Sequence, residues 1–263
     1  MRHRDRAGFT LVELLVVIAI VALLVSIVIP AVRGAIHASR VAGCVNNLRR
    51  LASAHQLYQS DHRGLFADVG LPHGGLGFVE QSFVTTLKPY DDHVLALRSP
   101  LDNSPHWALQ DGGQGVPVPN SNGAFRRTSY GMNNYLSRTF SPAAAIDPAA
   151  ASDRLARVPA PSQTVCFLLM AEEGEYAGSD HPHVEEWWAP GAGPGLPPVQ
   201  AATQVSTAAA GGKPSTGDAR SNWSFVDGHV ETLRFGNTYI DDQANGFDPA
   251  VASTFIQRVT GSQ

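Results

Sequence analysis

The sequence predicts an α+β fold. One long N-terminal helix, membrane-spanning in its first half and amphipathic in its second, should pack on a C-terminal head built on an antiparallel sheet. Three observations carry this expectation. Residues 9–29 are almost all apolar. After Pro30 the apolar positions recur three and four residues apart. Near the C-terminus, SNWSFVDGHVETLRF sets Asp227-Gly228 between two alternating runs.

The first element begins after a basic leader, Arg2, Arg4 and Arg6, that ends at Gly8. Phe9 to Ile29 then supply twenty-one residues, and about 20 apolar residues suffice to span a bilayer as a helix. A secretory signal has a shorter apolar core with a small-residue cleavage site behind it. Here the glycine lies in front and no such site follows. The run also holds one carboxylate, Glu13. An acid inside a membrane helix costs roughly 2.5–3.5 kcal/mol on insertion scales, so it calls for a partner or a function. The basic leader should stay in the cytoplasm while the rest of the chain crosses.

The second half of the helix follows from spacing. Val41, Cys44, Leu48, Leu51, His55 and Tyr58 lie 3, 4, 3, 4 and 3 residues apart, a single helix face. Arg40, Asn46, Asn47, Arg49, Arg50 and Gln56 occupy the other side. Residues 9 to about 62 therefore read as one helix, roughly 80 Å long at 1.5 Å per residue. Pro30 should kink or loosen it, because proline lacks an N–H and crowds the preceding turn. Gly64 should end it. The chain thus divides into a leader (1–8), the membrane half (9–29) and amphipathic half (30–63) of the helix, and a head (64–263).

In the head, residues 78–90 suit a helix or a strand, 128–137 carry turn and strand signals, and Thr164 to Met170 read as a strand. Residues 189–221, rich in Gly, Pro, Ala, Ser and Thr, read as a long exposed surface loop. Asp227-Gly228 predicts a two-residue hairpin turn with φ > 0 at both positions. That register pairs Phe225 with Val230 and Trp223 with Thr232. Trp223, Phe225 and Val230 then share a face that could cover the helix stripe.

Of the 263 residues, 43% are hydrophobic and 16% charged. Without residues 1–8 the balance is 16 Lys+Arg against 22 Asp+Glu. With no basic block beyond the leader, nucleic-acid binding is not expected. Cys44 and Cys166 are either one disulfide of an oxidising compartment or two small buried hydrophobes, the more frequent use of such positions.

The order basic leader, Gly8, Phe9, apolar run with Glu13 at the fifth position after the glycine resembles the signal of type IV pilins and type II secretion pseudopilins. The resemblance implies cleavage of the Gly8–Phe9 bond by a prepilin peptidase and N-methylation of Phe9. It implies an inner-membrane protein anchored through residues 9–29, with the head periplasmic, or extracellular after assembly. Glu13 would meet the N-terminal ammonium of a neighbouring subunit. The partners implied are copies of itself, other pilin-like subunits, an assembly platform and its ATPase. CVNNLRRLASAHQLYQSDHRG (44–64), SYGMNN (129–134), PSQTVCFLLMAEE (161–173) and FVDGHVE (225–231) also resemble a pseudopilin-like family with an H-x9-DG C-terminal motif. Gly217 stands at the position of that motif's histidine, and Ser99-Pro100 where the family often has cysteine before proline.

Two clusters invite a metal. His181, His183, Glu185 and Glu186 offer imidazole and carboxylate ligands, although Pro182 suggests loop. Asp241, Asp242, Asn245 and Asp248 form an oxygen-rich loop. Major pseudopilins often hold Ca²⁺ in such a C-terminal loop, but the EF-hand spacing is absent and turn formation accounts equally for these residues. No other cofactor is implied. There is no G-x-S-x-G elbow, P-loop or dinucleotide fingerprint, and His229 reads as a strand-end residue. The expectation is a non-enzymatic filament subunit. The alternative is a membrane-anchored surface module that binds a glycan or other solute through Trp187 and Trp188.

Overall fold

The computed structural model describes residues 11–71, 77–91, 97–191 and 193–260. The chain forms an α+β fold with a long N-terminal helix, α1 (Leu11–Asp61), and a four-stranded antiparallel sheet further on. Two compact units meet between Ala42 and Gly43.

In the first unit, residues 11–40 of α1 are exposed along their whole length. This stretch contains a segment long and apolar enough to cross a membrane, by length and composition. The hydroxyl of Ser26 donates to Leu23 O at 2.7 Å, so the helix satisfies its own polar group. The helix also runs unbroken through Pro30.

The second unit begins with the amphipathic part of α1. Cys44, Leu48, Leu51, His55 and Tyr58 are buried, as the spacing predicts, while Val41 is half-buried and Ala52, Ala54 and Gln59 are buried beside the stripe. The helix stops where Arg63 and Gly64 turn to φ 56° and 77°. There Gly64 N–H donates to Gln59 O at 2.8 Å, closing the last turn.

The sheet order is β1 (Tyr130–Met132), β2 (Val165–Leu169), β3 (Arg220–Phe225) and β4 (Val230–Arg234). A two-stranded ribbon, β5 (Tyr239–Asp241) and β6 (Ala244–Asn245), follows. Short helices α2 (Phe83–Thr86), α3 (Pro142–Ile146) and α4 (Leu196–Gln204) fill the connections, and α5 (Pro249–Thr260) follows β6. One face of the sheet meets α1. The Phe167 ring lies edge-on to His55 at 5.2 Å, and Cys166 Sγ is 3.6 Å from His55 Nδ1. A register irregularity between Val165 and Phe167 allows both neighbours to point to this side. The other face is the main aromatic core, where Val165, Leu168, Trp223 and Phe225 pack with Trp187, Phe235, Tyr239 and Phe247.

The hairpin differs from the sequence expectation by one residue. Gly228 N–H donates to Phe225 O, and Phe225 N–H donates to His229 O, so the loop is Val226–Gly228. Within that turn only Gly228 has a positive φ, at 93°. The Asp227 carboxylate instead accepts the His229 N–H at 3.1 Å, an Asx-type contact that stabilises the turn without a left-handed aspartate. The extra loop residue pairs Val230 with Ser224. A one-residue shift moves a side chain to the opposite face. Val230 therefore parts from Trp223 and Phe225, and those two aromatics pack away from α1.

Residues 189–221 are not an exposed excursion. They contain α4, whose Ala201 and Gln204 are buried, and Val205, Thr207 and Ala219 are buried beyond it. Val205 bridges Met170 at the end of β2. Pro197 and Pro198 lie in the first turn of α4, where the missing N–H groups have no helical acceptor. The composition that suggested a loop is thus a helix start.

Candidate functional site

The expected site residues fall in two places. Gly8 and Phe9 lie outside the described residues. Glu13 stands in the first turn of α1 amid exposed Leu11, Val12, Leu14 and Leu15. A helix apolar on every side is built for lipid or for other helices. Exposed apolar surface on this scale marks an interaction surface.

In the head, the metal candidates are engaged otherwise. His183 Nδ1 lies 3.1 Å from Glu185 Oε1. The bond to Glu185 holds the His183 imidazole above its ordinary pKa, with burial opposing. Burial acts to raise the pKa of Glu185, but bonds from His183 and Asn134 outweigh it and hold the carboxyl below its usual range. Glu186 accepts from Tyr176 Oη at 3.1 Å and from Gln204 Nε2 at 2.9 Å. His181 is fully buried, its Nδ1 2.9 Å from the Asp180 carboxylate. SDHPHVEEWW is thus a polar seam that ties the 180s to α4. Among the described residues, no three His, Cys, Asp or Glu side chains converge as a metal site requires.

The oxygen-rich loop is a set of turn contacts. Asn245 Oδ1 accepts from Phe247 N and Asp248 N, and its amide donates to Asp241 O and Asp242 O. Asp241 accepts from Gln243 N, and Asp248 from Ala250 N. Burial raises the pKa of Asp248, with the bond from Ala250 opposing. The side-chain oxygens of Asp241, Asn245 and Asp248 face their own backbone, as Asp and Asn do in turns, and Asp242 accepts from the Gln243 side chain.

Trp187 cannot offer a face to a sugar. It is fully buried in the aromatic core and donates Nε1–H to Gln204 Oε1 at 3.0 Å. Trp188 packs against the same core as a half-buried residue. His229 stacks on Phe225 with centroids 4.2 Å apart, its Nδ1 2.6 Å from Asp227 Oδ1. Gln56 donates to Asp227 O at 2.7 Å, joining the hairpin tip to α1. Gly217 lies against Gly236, which donates its N–H to Gly217 O at 3.0 Å. The two cysteines are buried and unbridged. Burial raises both thiol pKa values, so neither is a reactive thiolate.

Three buried aspartates escaped the sequence reading. Asp180 accepts from Gly70 N, Leu71 N and Ser82 Oγ. Asp68 accepts from Val69 N, Ser137 Oγ and Thr139 Oγ1. Asp102 accepts from Ser104 N, Ser129 Oγ and Arg126 Nε. Each carboxylate gathers chain segments that have no ladder of their own, and buried charges persist only when satisfied in this way. They are structural anchors without an open coordination face.

A family model described as the prokaryotic N-terminal methylation motif matches residues 3–29. No curated protein and no solved structure matches the chain. The motif supports a prepilin-type signal and indicates a pilin-like protein of the kind a prepilin peptidase processes. The apolar half of α1 agrees with membrane anchoring.

Proposed function

We propose that this protein is a non-enzymatic subunit of a type IV pilus-like or type II secretion-like filament. The observation that carries the reading is the exposed apolar start of α1, with Glu13 in its first turn, inside a methylation motif. Such a surface is stabilised by lipid or by packing against other apolar helices. Cleavage at Gly8–Phe9 would create an N-terminal ammonium at Phe9, which methylation leaves charged. Glu13 of one subunit would pair with that ammonium of a neighbour. In a low-dielectric setting an unpaired carboxylate is strongly disfavoured, so the pair favours one register of assembly over random association.

The precursor would insert with its N-terminus in the cytoplasm and its head on the far side of the inner membrane. A platform protein and its ATPase would then move it into the filament, where apolar helices associate and heads stay outside. Pro30 would let the helix bend between its membrane and head-bound halves. The test is electron microscopy of cells producing the wild-type chain or Glu13→Ala. Filaments should form with the first and be lost or sparse with the second, while both are cleaved to the same mature size. Normal filaments from Glu13→Ala would overturn the assembly role.

A further inference from the structure

Asparagine is followed by glycine twice in this chain, at Asn122-Gly123 and Asn245-Gly246. That pair has its own chemistry. The glycine's peptide nitrogen can attack the side-chain carbonyl carbon of the asparagine, and the missing Cβ leaves that nitrogen unhindered. The reacting atoms are tethered in one short stretch of chain, so geometry decides whether they meet. The fold treats the two pairs in opposite ways.

Asn245 is locked. It is buried, its Oδ1 accepts from Phe247 N and Asp248 N, and its amide donates to Asp241 O and Asp242 O. Gly246 N–H is also engaged, donating to Thr238 O at 2.8 Å. Cyclisation there would require these bonds to open together.

Asn122 is open. Its loop is closed beneath it by the Val118 N–H, which donates to Ala124 O at 2.9 Å, and by the Ser121 hydroxyl, which donates to Val118 O at 2.6 Å. Asn122 and Gly123 form the tip and are both exposed. Among the described residues, neither the Asn122 side chain nor the Gly123 N–H has a hydrogen-bond partner. A Cβ built on Gly123 would meet nothing within 4 Å. Nothing outside the tip therefore opposes the rotation that brings Gly123 N to Asn122 Cγ.

We propose that Asn122 is a site of spontaneous covalent modification, with water as the only co-reactant. Gly123 N gives up its proton and bonds to Asn122 Cγ. The Cγ–Nδ2 bond breaks, and ammonia leaves with that proton. Water then opens the resulting succinimide at either carbonyl. One opening restores the ordinary peptide link and gives aspartate. The other routes the main chain through Cγ and gives isoaspartate. Either product replaces a neutral amide by a carboxylate on the exposed loop. The site is independent of the filament reading and would hold whether or not the chain assembles.

The experiment incubates the full-length protein in detergent micelles at pH 8.5, with and without urea, and follows its peptides by chromatography and mass spectrometry. In the folded protein the Asn122 peptide should gain the mass of an NH₂-to-OH exchange and resolve into two species of equal mass, aspartate and isoaspartate. Asn245 should react at least about tenfold more slowly, since several bonds must open first, and should approach the Asn122 rate only in urea. Incubation at pH 6 should slow the reaction at Asn122, because the deprotonated peptide nitrogen attacks. Asn122→Gln, which lengthens the ring that must close, should remove the gain. No gain at Asn122 in the folded protein, a comparable gain at Asn245 without urea, or aspartate as the sole product would overturn the proposal.

Discussion

Arg126 Nε donates to Asp102 Oδ2 at 2.9 Å, with the two side chains 1% and 2% exposed. The same guanidinium reaches the carbonyls of Met170, Ala171 and Ala177. The pair lies within the 99–129 segment, and the bonds from Arg126 to these carbonyls join that segment to the chain that follows β2. Burial pulls the Arg126 pKa down, and Asp102 opposes that pull. Removing the carboxylate strands a buried cation. Asp102→Ala should destabilise the head by about 3–5 kcal/mol. Urea unfolding followed by tryptophan fluorescence measures this, and the double variant with Arg126→Met should recover part of the loss. A single-variant loss below 1 kcal/mol, about that of an exposed pair, would count against the anchoring role.

His55 predicts an acid-side loss of stability. Its Nε2 accepts the Ala67 N–H at 3.1 Å, so the neutral ring carries its proton on Nδ1, which lies 3.3 Å from the Gln59 side-chain amide and 3.6 Å from Cys166 Sγ. Burial lowers its pKa from 6.5 to about 3. As pH falls below 6.5 the unfolded chain takes up the proton first, and the folded state does so only near 3. Stability is therefore full above the ordinary histidine value and declines through the window from 6.5 to 3. Between pH 7 and pH 5 this residue alone should remove about 2 kcal/mol. Unfolding free energies at the two pH values should differ by less in His55→Leu, whatever that variant's own stability.

The hairpin tip gives a local backbone prediction. Gly228 holds φ at 93° beside the Gln56 amide. An alanine there meets both the left-handed penalty of roughly 1–2 kcal/mol and the Gln56 side chain. Gly228→Ala should lower the stability of the head by about 1–2 kcal/mol, whereas Asp227→Asn, which keeps an acceptor for His229 N–H, should cost less. Thermal unfolding of the two variants side by side decides the order.

Processing can be read on a gel. Replacing Gly8 by a bulky residue such as Leu should leave an uncut precursor, longer than the mature chain by residues 1–8, in cells that hold a prepilin peptidase. A product of mature size would show that cleavage does not depend on Gly8.

Periodicity made much of this fold legible. The helix stripe needs a single register along one element, so Cys44, Leu48, Leu51, His55 and Tyr58 could be placed from spacing alone. Val165–Leu169 was legible as an apolar run of strand length. The hairpin was visible but its register was not, because Asp227 could take a left-handed turn position or cap the turn with its carboxylate, and the two choices differ by one residue. Residues 196–205 were misread since prolines that begin a helix look the same in sequence as prolines that interrupt a loop. Within the candidate site, Glu13 stood out as an acid in an apolar run. Asp68, Asp102 and Asp180 did not, because their partners are brought in from distant segments by tertiary structure.

Those three carboxylates have a consequence for how the head would behave in hydrogen exchange. Gly70 and Leu71 sit outside any regular element, yet their N–H groups donate to Asp180, which is fully buried. Amides held in this way open only when the surrounding structure opens. They should lose their protons on the timescale of the central strands, so the slow-exchanging nucleus of the head would extend into chain that has no strand or helix.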